Sequence, residues 1–102
     1  MIRVSVSYPP ATGQRFDHDY YQSTHRQLLI DKLTAHGLQR VEMDRCLADG
    51  VGGPPPVVAV AHMVFDTLAG FQQGMAANGK VIMADVAQYT DIRPQILVSE
   101  TA

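Results

Sequence analysis

Strict alternation opens the chain. In residues 2–8, IRVSVSY, Ile2, Val4, Val6 and Tyr8 fall on one side and Arg3, Ser5 and Ser7 on the other. That two-residue period predicts a half-buried strand, stopped by Pro9-Pro10 and Gly13. Residues 38–47, LQRVEMDRCL, alternate more weakly, with Val41 and Met43 set against Arg40, Glu42 and Asp44, and read as an edge strand blunted by charge. The loop DGVGGPPP at 49–56 follows, and its glycines and prolines cannot continue a ladder. Residues 57–65, VVAVAHMVF, are apolar on both faces apart from His62, so both faces of this strand need cover. QILVSE at 95–100, entered from Pro94, reads as the last strand.

The period changes to that of a helix over residues 16–37, FDHDYYQSTHRQLLIDKLTAHG. Asp17 is placed as N-cap and Asp19 sits in the first turn, where the helix dipole favours a negative charge. Phe16 and Tyr21 are spaced as a hydrophobic staple, and Gly37 suits a left-handed C-terminal stop. Tyr21, His25, Leu28, Leu29 and Ala35 share one stripe at 3.6-residue spacing. Lys32 also falls on it, so its stem needs cover while its ammonium snorkels; Ile30 points away. A second helix is predicted over TLAGFQQGMAANG, residues 67–79, capped by Asp66 or Thr67, with a separate helical turn at 80–87. Gly70 and Gly74 each weaken it by about 1 kcal/mol relative to Ala, so it depends on tertiary contact or close approach.

Strand, helix, strand, strand, helix, strand is the βαββαβ order of a ferredoxin-like α+β domain, a four-stranded antiparallel sheet with two helices on one face. The other face keeps apolar residues that need cover, and the economical cover is a second copy stacked about a twofold axis.

His25 and His62 are ionisable groups on faces expected to be buried. A buried neutral imidazole needs partners for its nitrogens, and its ordinary pKa suits proton transfer. Tyr21, one turn before His25, is placed to share its site, and Tyr8 leaves the first strand towards the same helix. The plainer alternatives are core histidines with satisfied nitrogens and a tyrosine that merely packs.

With 102 residues, 46% of them hydrophobic and 18% charged, the chain is expected to form one domain, residues 1–102. A net charge of −2 without a basic run argues against nucleic acid as a partner. No apolar run is long enough for a membrane span and no signal peptide is read before the first strand. The single Cys46 excludes an internal disulfide and a cysteine-rich zinc pattern, and a cytoplasmic setting is expected.

FDHDYYQSTHRQLL at 16–29, VVAVAHMVFDTLAGF at 57–71 and MADVAQYTDIRPQILVSE at 83–100 span most of the chain. In this order they resemble the ethyl tert-butyl ether degradation (EthD) family of the dimeric α+β barrel superfamily. The resemblance implies a homodimer formed through the open sheet face, and a role in the breakdown of small organic compounds. It carries His25, Tyr21 and Asp85 over as catalytic candidates; Tyr8, His62 and Tyr89 are the ligand-binding candidates. Superfamily relatives include cofactor-free monooxygenases, lactone isomerases and haem-binding enzymes. The expected function is binding of a small, partly apolar or oxygenated metabolite, with His25 as general acid/base in a cofactor-independent oxidoreductase, isomerase or dehydratase. Tyr21 or Tyr89 would stabilise a developing oxyanion. The alternative is a non-catalytic binding or accessory protein. No cofactor is expected, and no element has the clustered ligand spacing of a metal site.

Overall fold

The computed structural model describes residues 1–102. Its strands are β1 (Ile2–Tyr8), β2 (Leu38–Arg45), β3 (Ala59–Phe65) and β4 (Gln95–Glu100). They form one antiparallel sheet in the order β2-β3-β1-β4. β2 and β4 are therefore the edges, as the charges on β2 lead one to expect. Both outer strand limits are tighter than the sequence pattern suggests: β2 ends at Arg45 and β3 begins at Ala59.

The first helix, α1, covers residues 18–36 in four pieces. An α-helical turn (His18–Tyr20) leads into a π-helical turn (Tyr21–His25), then α-helix (Arg26–Leu33) and a 3₁₀ turn (Thr34–His36). The Asp17 side chain accepts from the Tyr20 N–H, and Gly37 closes the helix at φ 92°. The π turn corrects the predicted stripe. Its i→i+5 hydrogen bond, from the Arg26 N–H to the Tyr21 carbonyl, admits one extra residue, which turns the stripe beyond it so that Leu29 stays inward and Leu33 takes the place expected of Lys32. Leu29 and Leu33 are buried, Lys32 and Ala35 are exposed, and Leu28 is only half-buried.

The second helix, α2, is a single element, Leu68–Val86; the predicted break near Asn78-Gly79 does not occur. Thr67 is its cap, accepting from the Gly70 N–H. The Asn78 amide donates to the Gly74 and Lys32 carbonyls, 3.1 Å each, and ties α2 to α1. Gly70 and Gly74 mark the close approach their composition suggests. A Cβ on Gly70 would lie 2.4 Å from the His36 carbonyl oxygen, and one on Gly74 would lie 3.0 Å from Leu33.

Both helices cover the sheet face that carries Val4, Val41, Met63 and Phe65, which join Leu29, Leu33, Leu38 and Ile82 in one core cluster. The opposite face is less oily than expected. It carries the cross-strand rows Arg40–Val64–Arg3 and Glu42–His62–Ser5–Leu97, with Leu97 64% exposed. No helix is long and apolar enough to cross a membrane.

Candidate functional site

Two loops fasten the site together at one end of the sheet. The Asp17 N–H donates to the Tyr89 carbonyl at 2.8 Å, and the Thr90 hydroxyl donates to the Arg15 carbonyl at 2.7 Å. Phe16 and Thr90 form an isolated β-bridge. The Arg15 guanidinium donates to the Ala87 and Gln88 carbonyls, a cation at the helix end that favours one. The start of α1 is thereby fixed against the end of α2.

That juncture brings Asp85, on the last turn of α2, to the π turn of α1. Asp85 Oδ2 lies 2.8 Å from His25 Nδ1, and Oδ1 accepts from the Tyr20 hydroxyl at 2.6 Å. Tyr20 and His25 are five residues apart, about 140° around an α-helix of 3.6 residues per turn. The extra residue of the π turn narrows that angle, so both side chains reach one carboxylate. Since an ionised carboxylate only accepts, the Nδ1 of His25 carries the proton of this contact. Nε2 then keeps a lone pair. It makes no hydrogen bond within the chain and is not among the polar atoms sealed without a partner.

His25 is 4% exposed, and burial holds its pKa below the ordinary imidazole value, opposed by the Asp85 carboxylate. The ring is therefore a neutral base near pH 7, oriented by a carboxylate on its far nitrogen.

His25 lines a cavity of about 50 Å³ between the sheet and the helices, with Tyr8 and Tyr21 beside it. Room of that size holds a few water molecules. The remaining wall is mainly hydrocarbon and thioether, from Val4, Val6, Leu29, Ile82 and the methionines Met43, Met63, Met75 and Met83. Met83 and Ile96, also in the lining, are 45% and 51% exposed. The cavity thus opens between α2 and the edge strand β4. Methionine walls yield to a ligand more readily than branched ones.

Three phenols converge behind His25. The Tyr8 and Tyr89 hydroxyls share a hydrogen bond of 2.5 Å. Tyr21 packs edge-on to Tyr8 and lies 5.0 Å from Tyr89 between ring centroids, while the Tyr89 ring lies 4.7 Å from that of His25. Burial pushes the pKa of Tyr8, Tyr21 and Tyr89 upward, so all three are neutral O–H donors across the physiological range. The Tyr21 hydroxyl is buried and has no partner in the chain, an arrangement that costs about 1–3 kcal/mol when left unmet.

Of the candidates read from sequence, the fold gathers His25, Tyr21, Asp85, Tyr8 and Tyr89 in one place. It does not bring His62 there. That side chain lies on the opposite sheet face, its Nδ1 3.0 Å from the Ser5 hydroxyl, because β3 alternates and Ala61 and Met63 take the cavity side. The cavity lined by His25 lies between one subunit's sheet and its helices. Tyr20 is the contributor that sequence reasoning missed. The signal was the Tyr-Tyr doublet itself, but an α-helical period assigns only the second tyrosine to the inner face. No group of three or more His, Cys, Asp or Glu side chains converges as a metal site requires.

The EthD domain profile matches residues 9–93. An EthD-like protein from Ralstonia eutropha JMP134 is 35% identical, with a TM-score of 0.89 over 97% of this chain and 89% of its own. An ethyl tert-butyl ether degradation family protein from Bacillus halodurans C-125 is 20% identical, with a TM-score of 0.66 over 100% and 99%. A dimeric ferredoxin-like protein from an uncultured marine organism shares the fold at 10% identity, with a TM-score of 0.59 over 100% and 95%. No curated protein of described function matches the chain. The matched span, the identity to the Ralstonia protein and the ferredoxin-like sheet agree, and the chain belongs to the EthD family.

Proposed function

We propose that this protein binds a compact, largely apolar metabolite carrying an oxygen function and moves a proton on it, with His25 as general acid/base and no cofactor. One observation carries the reading. A buried imidazole that lines an apolar cavity is held by Asp85 at 2.8 Å through Nδ1, while its other nitrogen has no partner in the chain. That is the arrangement of a base whose tautomer is set from behind. Water exclusion strengthens each polar contact made inside such a cavity, and the neutral phenols supply donors for charge that develops on oxygen. Asp85 positions and does not itself react.

The test begins with mass spectrometry of small molecules released from the purified protein. The released compound is then incubated with the protein in D₂O. Deuterium entering it with wild type, and not with His25→Asn, is the expected result. Asn is chosen because its amide can still donate to Asp85. Equal incorporation by both removes the proton-transfer reading. Retained ligand without any incorporation favours a non-catalytic binding protein, a use to which the pliable methionine wall is also suited.

We further propose a homodimer through the open sheet face. Val60 and Leu97 supply its accessible apolar positions, with Arg3, Arg40, Glu42 and Asp44 around them. An apolar centre with a charged rim is common in protein interfaces.

A further inference from the structure

Hydrogen-bond accounting in the cavity wall narrows the ligand. Tyr8 and Tyr89 have two hydroxyl hydrogens between them and one contact to each other. Whichever donates, one hydrogen is left without an acceptor in the chain. The hydroxyl of Tyr21, a residue 0% exposed, has no partner at all. Tyr8 and Tyr21 line the cavity and Tyr89 stands behind Tyr8, so with Tyr89 donating to Tyr8 the two lining phenols each keep an unspent O–H hydrogen. Opposite in character is Nε2 of His25, an unspent acceptor. Aliphatic and thioether groups make up most of the remaining wall. A ligand that satisfies this set presents an oxygen acceptor to the phenols and an acidic hydrogen, on an adjacent atom, to the imidazole.

We infer that the cavity is built for a compact carbonyl compound with a C–H next to the carbonyl. Tyr8, backed by the Tyr89 hydroxyl, and Tyr21 take its oxygen, and His25 Nε2 faces its C–H. This rests on the proton-transfer reading above and adds the substrate class to it. In the step, the C–H bond breaks and its proton passes to Nε2. The bonding pair forms a carbon–carbon double bond, and the carbonyl π pair moves onto oxygen as an enolate held by the phenol hydrogens. Return of the proton from Nε2 to carbon, at the same or a conjugated position, gives exchange or isomerisation without oxidant or reductant. The neutrality of the phenols fits: a phenolate would repel the enolate oxygen, whereas a protonated phenol donates to it.

The probes are acetophenone and α-methylstyrene, which have nearly the same shape, with C=O in one and C=CH₂ in the other; that group enters the cavity while the ring extends into its mouth beside Met83 and Ile96. Binding is followed by calorimetry on the full-length protein. Wild type is expected to favour acetophenone by about tenfold or more, since a site made to hydrogen-bond an oxygen rejects the analogue that lacks it. The double variant Tyr8→Phe/Tyr21→Phe is expected to abolish that preference while binding α-methylstyrene as wild type does. Unchanged α-methylstyrene binding also shows that the variant is folded. No preference in wild type, or a preference that survives in the double variant, overturns the carbonyl assignment. Deuterium wash-in at the acetophenone methyl group, measured separately by NMR, reports on His25 alone. A carbonyl preference without wash-in sinks the base and leaves the phenol assignment standing. Wash-in lost in His25→Asn, with no phenol-dependent preference, does the reverse.

Discussion

Tyr20 shows how much a single hydroxyl can set in this site. Its bond to Oδ1 offsets part of the Asp85 charge that His25 feels through Oδ2. In Tyr20→Phe the carboxylate is less satisfied and attracts a proton on the imidazole more strongly, so the His25 pKa should rise. Long-range nitrogen–proton NMR through a pH titration would detect it; an unmoved titration would make Tyr20 a packing residue only. The loss of stability should be about 1 kcal/mol. A second expectation concerns acid. His25 has a native pKa below its unfolded value, so its contribution to stability is full above about pH 6.5. That contribution falls away as pH drops through the native pKa, because the unfolded chain takes up the proton first. Melting temperature should decline less between pH 7 and 5 in His25→Asn than in wild type; an equal decline would leave carboxylates as the cause. At this scale the sequence was informative about which side chains face inward in the first turns of α1, since Tyr21 and His25 share a stripe in either helical form. It was silent on Tyr20, whose inward reach exists only because the turn is π-helical.

The π turn also explains why the inner stripe of α1 departs from the 3.6-residue pattern beyond His25. Strict 3.6-residue spacing from Tyr21 and His25 leads to Leu28, Leu29, Lys32 and Ala35, and requires a lysine to be accommodated on the inner stripe. One inserted residue keeps Leu29 inward and brings Leu33 beside it, both buried, and frees Lys32 to solvent. The uncomfortable lysine was thus a legible sign that the period changed. In α2 the pattern departs the other way: Asn78-Gly79 looks like a stop, yet the helix runs through it. There the contacts of Asn78 to both helices outweigh the roughly 1 kcal/mol cost of an internal glycine. Gly70 gives the sharpest test of this helix pair. Ala has the better helix propensity by about 1 kcal/mol, yet its Cβ would meet the His36 carbonyl oxygen at 2.4 Å. That atom belongs to backbone at the end of α1 and cannot swing aside. Gly70→Ala should therefore destabilise the protein by about 1–3 kcal/mol, in the range of an overpacked contact. A shift of the denaturation midpoint to lower urea would show it, and a shift to higher urea would mean that the helices separate without cost.

On the scale of the whole molecule, element order was enough to read the ferredoxin-like sheet, because period-two and period-3.6 stretches alternate with clear stops between them. The character of the open face was harder to read. β3 alone suggests an oily surface, but its neighbours place Arg3 and Arg40 beside Val64 and Glu42 beside His62, and cross-strand neighbours depend on register that one strand does not reveal. The dimer proposed through this face can be tested on the two sides of one strand. Leu97 lies on the open face in the row of Ser5 and His62, whereas Ile96 lies in the row of Val6 on the cavity side. Both are more than half exposed in the single subunit, so an aspartate at either should change subunit stability by only about 0.5 kcal/mol. In a dimer stacked on the open face, Leu97→Asp places a charge where apolar contact is made and should weaken association at least tenfold. Ile96→Asp should leave association unchanged and impair ligand entry, because its charge sits at the cavity mouth. Sedimentation velocity at micromolar concentration separates these outcomes. A monomeric wild type would remove the dimer, and a dimer that withstands Leu97→Asp but dissociates with Ile96→Asp would move the interface away from the open face and towards the edge where the cavity opens.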